Sequence, residues 1–199
     1  MLRISDLDIQ LTTDKDKVRC VPLMESRRRN VFLMHFRTFA YEDALFCYTI
    51  RKRAFTELFV DELTPVQISA CVDAYALYDY LRMQKAGEFF IAEEDGVPRG
   101  FFTLKRLTRN KAEFPMIYID PDHLGQGRGR ECLRWLESWV ITNWPEVTRL
   151  IVDTVIPRTN GGFYEAMGYT VKGETICRYA GLDIPATRYF KTLPGRETG

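Results

Sequence analysis

The sequence predicts an α/β fold, α+β-like in that its first part is mainly helical and its second part mainly strands. Helical patterns extend from about Asp16 to Gly87, and a short edge strand is expected before them at Asp8 to Thr13. From Glu88 onward, short apolar segments separated by turns predict strands. A glycine-rich loop, Gly125 to Gly129, stands where a strand pattern turns into a helix pattern.

Two blocks carry the helical prediction. The first runs from Val31 to Val60. The second begins at Thr64, which can N-cap a helix, and Pro65, which suits the first helical position. It continues with apolar residues to Leu81, so one long helix is expected there.

Strand patterns begin with a predicted antiparallel hairpin. Phe89 to Glu93 and Arg99 to Lys105 are joined by Asp95-Gly96, a dipeptide typical of two-residue hairpin turns. Phe114 to Ile119 is the next predicted strand, and it leads into the glycine loop.

A helix and a buried strand follow the loop. The helix pattern runs from Glu131 to Asn143, has one apolar stripe and ends before Pro145. Arg149 to Ile156 is a continuous apolar run, as expected of a central strand. The remaining predicted elements are a short helix at Asn160, strands near Tyr169 to Arg178 and Thr187 to Leu193, and a disordered tail at Pro194 to Gly199.

Composition and charge narrow the classes of function. With 46% hydrophobic residues, a chain of 199 residues can bury one core, so a single domain is expected. Lys and Arg number 28 against 27 Asp and Glu, which gives no electrostatic argument for nucleic-acid or membrane partners. The basic runs Arg27 to Arg29 and Arg51 to Arg53 are interpreted as solvated helix faces.

Cysteine and histidine usage argues against metal and disulfide sites. The five cysteines are scattered without a C-x-x-C pair, and His35 and His123 are the only histidines. The chain has no apolar run long enough to span a membrane and no signal-peptide pattern. A cytoplasmic protein without a metal is therefore expected.

The glycine loop has the chemistry of a phosphate cradle. Gly125, Gly127 and Gly129 occupy alternate positions, where the backbone can adopt positive φ and a ligand can approach closely. Several N–H groups can then point at one anion, at the positive end of the helix dipole. Arg130 and Glu131 stand where a P-loop has Lys-Ser/Thr, and the spacing differs from a dinucleotide fingerprint. A glycine-rich turn without a ligand is the alternative.

The segment from Ile117 to Gly129 resembles the acetyl-CoA signature of the GNAT N-acetyltransferase superfamily, [Q/R]-x-x-G-x-[G/A]. Gly127 and Gly129 match the two signature glycines. Leu124 departs from the pattern, because the family usually has Arg or Gln at that position. One side-chain contact to a pyrophosphate is therefore missing, and Arg128 and Arg130 are the candidates to replace it.

A second segment, Thr159 to Tyr169, resembles the family's other acetyl-CoA segment, N-x-x-x-x-[FY]-[YE]-x-x-G-[FY]. Thr159 or Asn160 is predicted to N-cap a short helix, and Gly168 is predicted to end it. The aromatic pair of this helix could instead fill the core, but its place after a phosphate cradle and a buried strand favours the functional interpretation.

The resemblance implies a GNAT fold, with a mixed central sheet of six to seven strands flanked by helices and two splayed central parallel strands. Within one acetyltransferase domain of residues 1–199, residues 1–87 would shape the acceptor site, residues 88–193 would bind acetyl-CoA, and residues 194–199 would form a tail. A homodimer is common for this architecture.

The resemblance also implies roles for individual residues. Tyr164 matches the position whose phenol protonates the departing thiolate, and Asn160 matches the position that hydrogen-bonds the cofactor arm. The backbone near Ile119 would bind the acyl carbonyl and pair with the pantetheine. The residues expected to bind acetyl-CoA are Tyr118, Ile119, Leu124, Gly125, Gln126, Gly127, Arg128, Gly129, Arg130, Asn160 and Phe163.

Glu113 is the first candidate for the general base that removes a proton from the attacking amine. Some protein-lysine acetyltransferases of the superfamily carry a catalytic glutamate near this place. Its even spacing from Ile119 predicts that both side chains share one strand face. The alternative is a solvent-facing carboxylate. Asp120 and Glu93 are weaker candidates, and His123 is expected on the surface.

The function predicted from the sequence is transfer of an acetyl group from acetyl-CoA to a primary amine of a small molecule or protein. A non-catalytic acyl-CoA-binding sensor is the alternative, whereas an ATP-dependent ligase or kinase would need a P-loop lysine and Mg²⁺ ligands that the sequence does not offer. Neither the acceptor nor the acyl-chain length can be read from the sequence. Six aromatic residues could line an apolar acceptor pocket or fill the core, namely Phe32, Phe36, Phe39, Tyr41, Phe46 and Tyr48.

Overall fold

A computed structural model describes residues 34–194 of the chain, apart from the side chain of Ala86. Seven strands in this part form one sheet in the order β1-β2-β3-β4-β5-β7-β6. The strands are β1 (His35–Thr38), β2 (Glu88–Glu94), β3 (Val97–Thr108), β4 (Lys111–Ile119), β5 (Arg149–Thr154), β6 (Thr170–Tyr179) and β7 (Leu182–Thr192). The α-helices are α1 (Ala44–Arg53), α2 (Pro65–Asp73), α3 (Leu77–Ala86), α4 (Arg128–Asn143) and α5 (Pro157–Ala166).

The sheet is mixed, because β4 and β5 are parallel while every other neighbouring pair is antiparallel. β4 and β5 are hydrogen-bonded only where Lys111 to Glu113 face Arg149 to Ile151. β4 then continues to Ile119 without β5 beside it. The predicted mixed sheet with splayed central strands is therefore confirmed.

Helices cover both faces of the sheet, and alternation along the strands supplies the two cores. Phe89 of β2 packs toward α1 and α3, whereas its neighbour Phe90 packs toward α4 and α5. Phe101 and Phe102 of β3 divide in the same way. A third cluster joins α2 to the β6–β7 hairpin and to a π-helical continuation of α1, Ala54–Leu58, which we call the π segment. No helix within residues 34–194 is long and apolar enough to cross a membrane.

The first predicted helical block is wrong at its start, because His35–Thr38 forms an edge strand. Arg37 holds this strand in place, since it donates to Glu93 on β2 at 2.6 Å and binds both carboxylate oxygens of Asp43 at 2.6 and 2.8 Å. The helix begins only at Ala44, immediately after Asp43. Pairing with β2 therefore decides the structure of this segment, although its local sequence pattern favours a helix.

The second predicted block is divided into α2 and α3 rather than forming one helix. Thr64 and Gln67 form the expected capping box at the start of α2. After Asp73 the backbone becomes extended at Ala76, whose N–H donates to the Asp79 side chain at 2.8 Å. Asp79 thus starts a second helix within a continuous apolar pattern.

The predictions for the later elements are confirmed with shifted ends. The Asp95-Gly96 turn joins β2 to β3, and α4 ends before Pro145. The expected strand at Asp8 to Thr13, the basic run Arg27 to Arg29 and the tail beyond Pro194 lie outside the described residues.

Helix α5 begins earlier than predicted, with Pro157 in its first turn and no side-chain cap from Thr159 or Asn160. Glu62, which lies in the connection before α2 and is distant from α5 in the sequence, caps this helix instead. Its carboxylate accepts the backbone N–H groups of Arg158 at 2.9 Å and Thr159 at 2.6 Å.

The other end of α5 matches the prediction. Gly168 has φ of +82° and its N–H donates to Glu165, while the N–H of Tyr169 donates to the Tyr164 carbonyl at 3.0 Å. These two bonds form a Schellman motif, for which the left-handed conformation of glycine is well suited.

We expect Glu62→Ala to lower the free energy of unfolding at pH 7 by about 1–3 kcal/mol, because two N–H groups of α5 lose their acceptor. Burial raises the pKa of Glu62, but its hydrogen bonds with Thr159 and Arg158 outweigh burial and leave the pKa below the usual range. A carboxylate whose pKa is lower in the folded than in the unfolded protein stabilises the fold at pH values above its unfolded pKa of about 4.3. This contribution is lost as the pH falls through the pKa of the folded protein.

Urea denaturation at pH 7 and pH 3.5 measures this contribution. The difference between wild type and Glu62→Ala should be smaller at pH 3.5. Asp61→Ala, at the exposed neighbouring carboxylate, is the matched control and should change stability little. Equal losses for both variants at pH 7 would contradict the capping role.

Candidate acyl-transfer site

A cavity of about 550 Å³ lies where β4 ends, beside the starts of α4 and α5. Most of the predicted acetyl-CoA residues are in its wall. The lining residues are Ala54, Leu58, Phe59, Ile117, Tyr118, Ile119, His123, Leu124, Gly125, Gly127, Arg128, Gly129, Arg130, Thr159, Asn160, Phe163 and Tyr164.

The glycine loop forms the end of the cavity where backbone N–H groups at the start of α4 can bind an anion. Gly125 and Gly127 have φ of +73° and +86°, a conformation that costs other residues strain. Gly127 is the N-cap of α4 and has no side chain to bind the first-turn N–H groups. The first backbone bond of the helix comes from Glu131, which donates to Gly127 at 3.0 Å. The preceding N–H groups are therefore in position to bind phosphate.

Arg128 holds this loop from inside the protein. Its guanidinium is buried and donates to both carboxylate oxygens of Glu94 at 2.8 and 2.6 Å. It also donates to the side chain of Gln126 and to the carbonyl of His123. The buried ion pair fixes the loop against β2 and occupies part of the guanidinium, and a contact of the Arg128 side chain with a pyrophosphate stays a prediction.

Of the predicted loop side chains, the one outside the cavity wall is that of Gln126. Gln126 is exposed, does not line the cavity and uses its side-chain oxygen to bind Arg128. Leu124 lines the cavity with 44% of its surface exposed. Arg130, exposed at the cavity wall, remains a loop cation that can reach a pyrophosphate.

The separation of β4 from β5 leaves a backbone edge at Ile119 with which no strand of residues 34–194 pairs. Asp120 donates its N–H to Arg99 of β3 at 2.8 Å. Successive residues of a strand direct their N–H groups to opposite edges, so the N–H of Ile119 faces the gap where β5 no longer pairs. This edge can accept an extended ligand as an additional strand.

A β-bulge in β4 determines which side chains face the cavity. Thr103 pairs with Met116 and Lys105 pairs with Glu113, so β4 has one extra residue between these pairs. Beyond the bulge, Ile119 faces the core under α4 and α5. Glu113 precedes the bulge, and its neighbour Ala112 belongs to that same core. Glu113 and Ile119 consequently lie on opposite faces, and the prediction that they share one face is wrong.

Tyr164 lies in the cavity wall within a cluster of rings. It is 3% exposed, and its ring centroid is 6.2 Å from that of Phe114 and 5.5 Å from that of Tyr189. Burial, followed by the neighbouring tyrosines Tyr118 and Tyr189, raises its pKa far above the usual range. The phenol therefore remains protonated at neutral pH and can donate a hydrogen bond. Asn160 and Phe163, from the same helix, also line the cavity.

Glu113 does not line the cavity and lies on the α1–α3 face of the sheet, at the last residue pair between β4 and β5. Burial raises the pKa of Glu113 above its usual range, and the nearby carboxylate of Asp153 adds to the rise. Arg188 and Lys105 act in the opposite direction. The carboxylate is thus biased toward accepting a proton at the point where the strands separate.

The weaker base candidates are engaged elsewhere. Glu93 is bound to Arg37, and Asp120 accepts a hydrogen bond from Arg53 at 3.0 Å. His123 lies in the cavity wall rather than on the open surface, with its Nδ1 3.4 Å from Asp120.

Sequence reasoning missed the contribution of the π segment. Ala54 and Leu58 line the cavity, and Arg53 links this segment to the loop by binding Asp122 at 2.9 Å and Glu57 at 2.9 Å. The sequence contains no local signal for this, because apolar residues of a helix are equally consistent with core packing. Among residues 34–194, no group of three or more His, Cys, Asp or Glu side chains could hold a metal ion.

Comparison with known proteins agrees with this arrangement. The family model described as "Acetyltransferase (GNAT) family" matches residues 46–169. A search of curated protein sequences finds no match.

Several solved structures share the fold. A GCN5-related N-acetyltransferase of Rhodopseudomonas palustris matches with a TM-score of 0.70 and 24% identity, over 80% of this chain and 95% of that one. YncA of Salmonella typhimurium, a putative acetyltransferase solved with acetyl-CoA, has a TM-score of 0.58 and 18% identity, over 83% and 96% of the two chains. PaiA N-acetyltransferase of Thermoplasma acidophilum, solved with coenzyme A, has a TM-score of 0.61 and 17% identity, over 80% and 99%. Because the family model covers more than half of its length, this chain belongs to the GNAT acetyltransferase family.

Proposed function

We propose that this protein is an acetyl-CoA-dependent N-acetyltransferase that moves an acetyl group to a primary amine of a small molecule or protein by direct attack. The proposal rests on the observation that three features line the same cavity. The N-terminus of α4, which has no side-chain cap, the edge of β4 beyond its pairing with β5 and the protonated phenol of Tyr164 all line it.

Acetyl-CoA would bind along this cavity. The N–H groups after Gly127 would hold the pyrophosphate, with Arg130 supplying a positive charge near the entrance. The pantetheine arm would pair with the β4 edge at Tyr118 and Ile119, and Asn160 would hydrogen-bond it from α5. Phe163 would pack against the arm.

The chemistry would take place in the gap between β4 and β5. The amine nitrogen attacks the thioester carbonyl, and the N–H of Ile119 stabilises the negative charge on the carbonyl oxygen. Glu113 accepts the proton that the amine loses, directly or through water. When the carbon–sulfur bond breaks, Tyr164 donates its proton to the departing thiolate. Because Glu113 and Tyr164 belong to opposite faces of the sheet, the acceptor and the thioester would approach from opposite sides.

Calorimetric titration with acetyl-CoA, with ATP as the control ligand, tests the proposal. We expect acetyl-CoA to bind with a Kd on the order of micromolar and ATP to bind much more weakly. Arg130→Gln should weaken acetyl-CoA binding about 2- to 5-fold, because an exposed charge near phosphate contributes modestly. Arg134→Gln, exposed one turn further along α4, is the matched control and should bind as wild type does. Tighter binding of ATP would refute the proposed function.

Tyr164→Phe should reduce kcat for amine acetylation about 100-fold or more while leaving acetyl-CoA affinity unchanged, because only the proton donor is removed. Release of the coenzyme A thiol with a panel of primary amines measures this. Tyr169→Phe is the control, since its ring packs 6.1 Å from that of Tyr164 but does not line the cavity. Unchanged turnover in Tyr164→Phe would show that the Tyr164 hydroxyl has no role in the reaction. Wild type that binds acetyl-CoA but acetylates no amine would favour the sensor alternative.

Glu113→Gln should lower kcat/KM about 100-fold and abolish the loss of activity at acidic pH that protonation of Glu113 causes. Because its pKa is raised, that loss in wild type should occur above the usual range of a glutamate. A pH profile of kcat/KM measures both effects. Glu174→Gln, an exposed carboxylate on β6, should keep the wild-type profile. An unchanged profile in Glu113→Gln would exclude Glu113 as the base.

A further inference from the structure

Arg51 is a buried charge without a carboxylate partner among residues 34–194. It lies in α1 and is 2% exposed, although the sequence predicted a solvated helix face for Arg51 to Arg53. The other fully buried charges within residues 34–194 are paired, Asp43 with Arg37 and Glu94 with Arg128. In the same part of the chain no carboxylate forms an ion pair with Arg51, and its Nε has no hydrogen-bond partner.

Aromatic groups surround this charge. The guanidinium carbon lies 4.9 Å from the ring centroid of Phe55 and 4.7 Å from that of Tyr75. Burial lowers the pKa of Arg51, but the nearby phenols of Tyr118, Tyr80, Tyr179 and Tyr75 outweigh burial and leave the pKa above its usual range. Within the described residues, the buried hydroxyl of Tyr80 likewise has no hydrogen-bond partner. Rings and neutral hydroxyls stabilise a cation, but they leave donors without an acceptor and a charge without a counterion.

The position of Arg51 connects it to the candidate site. Ala54, one helical turn further along, lines the cavity, and so does Tyr118, whose phenol interacts with the guanidinium. Arg51 therefore lies immediately behind the cavity wall. Tyr75, which stacks on Arg51, is also within electrostatic reach of Glu113. Arg51 and Glu113, the candidate base, thus lie on the same side of the sheet.

We propose that Arg51 binds a carboxylate of the acceptor, so that the substrate is an amino acid or a similar small amine bearing a carboxylate. This inference rests on the proposed acetyltransferase function. The planar guanidinium matches a carboxylate with two parallel hydrogen bonds, and the unpartnered Nε is one of the donors that such a pair uses. The Tyr80 hydroxyl can donate to the same anion. Glu113 would then receive the proton from the amine of the same molecule.

Binding requires one stacked ring to move, because Arg51 is covered. Phe55 is held within the π segment, whereas Tyr75 lies in the short connection between α2 and α3. Tyr75 is therefore the ring that the carboxylate displaces. Arg51 would thereby exchange its cation–π contact with Tyr75 for a pair with a carboxylate, which is a stronger interaction for a buried guanidinium.

An acceptor panel tests the inference. The twenty common L-amino acids, each matched with its carboxamide, are offered with saturating acetyl-CoA, and release of the coenzyme A thiol is measured. The carboxamide keeps the amine and side chain but removes the anion. We expect at least one acid to be acetylated with kcat/KM about 10- to 100-fold above that of its amide. The difference should lie mainly in KM.

Arg51→Met should bring the acid-to-amide ratio close to one, through a rise in KM for the acid. Lys52→Met, at the exposed neighbouring cation, is the matched control and should keep the wild-type ratio. Circular dichroism and acetyl-CoA titration verify that Arg51→Met folds. If it does not fold, Tyr80→Phe replaces it and should lower the ratio several-fold, because one donor to the anion is lost.

The inference is overturned if no acid exceeds its amide, or if Arg51→Met reduces acid and amide turnover equally, as a purely structural arginine would. Acetylation of amides or other amines but not of acids would refute the carboxylate site and leave the acetyltransferase function in place. Absence of acetyl-CoA binding would instead refute the acetyltransferase function, and the inference with it.

Discussion

β4 and β5 are parallel neighbours that stay hydrogen-bonded over only three residue pairs, and the candidate site depends on that separation. Past Glu113, the backbone of β4 has an edge that no strand of the described part covers, while β5 remains paired with β7 on its other side. The helices that follow these two strands, α4 and α5, start beside the resulting gap. A helix N-terminus and a free strand edge are therefore brought together by the sheet itself.

The bulge in β4 has a second consequence for the site. One extra residue exchanges the two faces of the strand, so Glu113 points toward α1 and α3 while Ile119 faces α4 and α5. A regular strand would place both on one face. The bulge therefore separates the proposed proton acceptor from the proposed acyl-binding side while keeping both close to the gap.

Charged side chains fix the loops around this gap. Glu94 holds Arg128 and with it the glycine loop, Glu62 holds the start of α5, and Arg53 ties the π segment to Asp120 and Asp122. Each of these bonds joins segments far apart in sequence, so the site is positioned by the tertiary structure rather than by local turns. Arg51 differs from them because rings and hydroxyls, rather than a carboxylate, surround its charge.

The sequence by itself determined the strand-loop-helix unit around Gly125 to Gly129 and the helix carrying Asn160 and Tyr164, and the resemblance of these two segments to known signatures predicted the family. The two local units depend on glycine φ angles and on local apolar periodicity, which neighbouring residues specify. Only the tertiary structure decided that His35–Thr38 is a strand, that Arg128 points inward to Glu94 and that Glu113 faces away from Ile119. Strand pairing, a bulge and long-range ion pairs decide those points, and none of them leaves a signal in a single stretch of sequence. The same reason explains Arg51, whose burial follows from the packing of α1 against distant tyrosines.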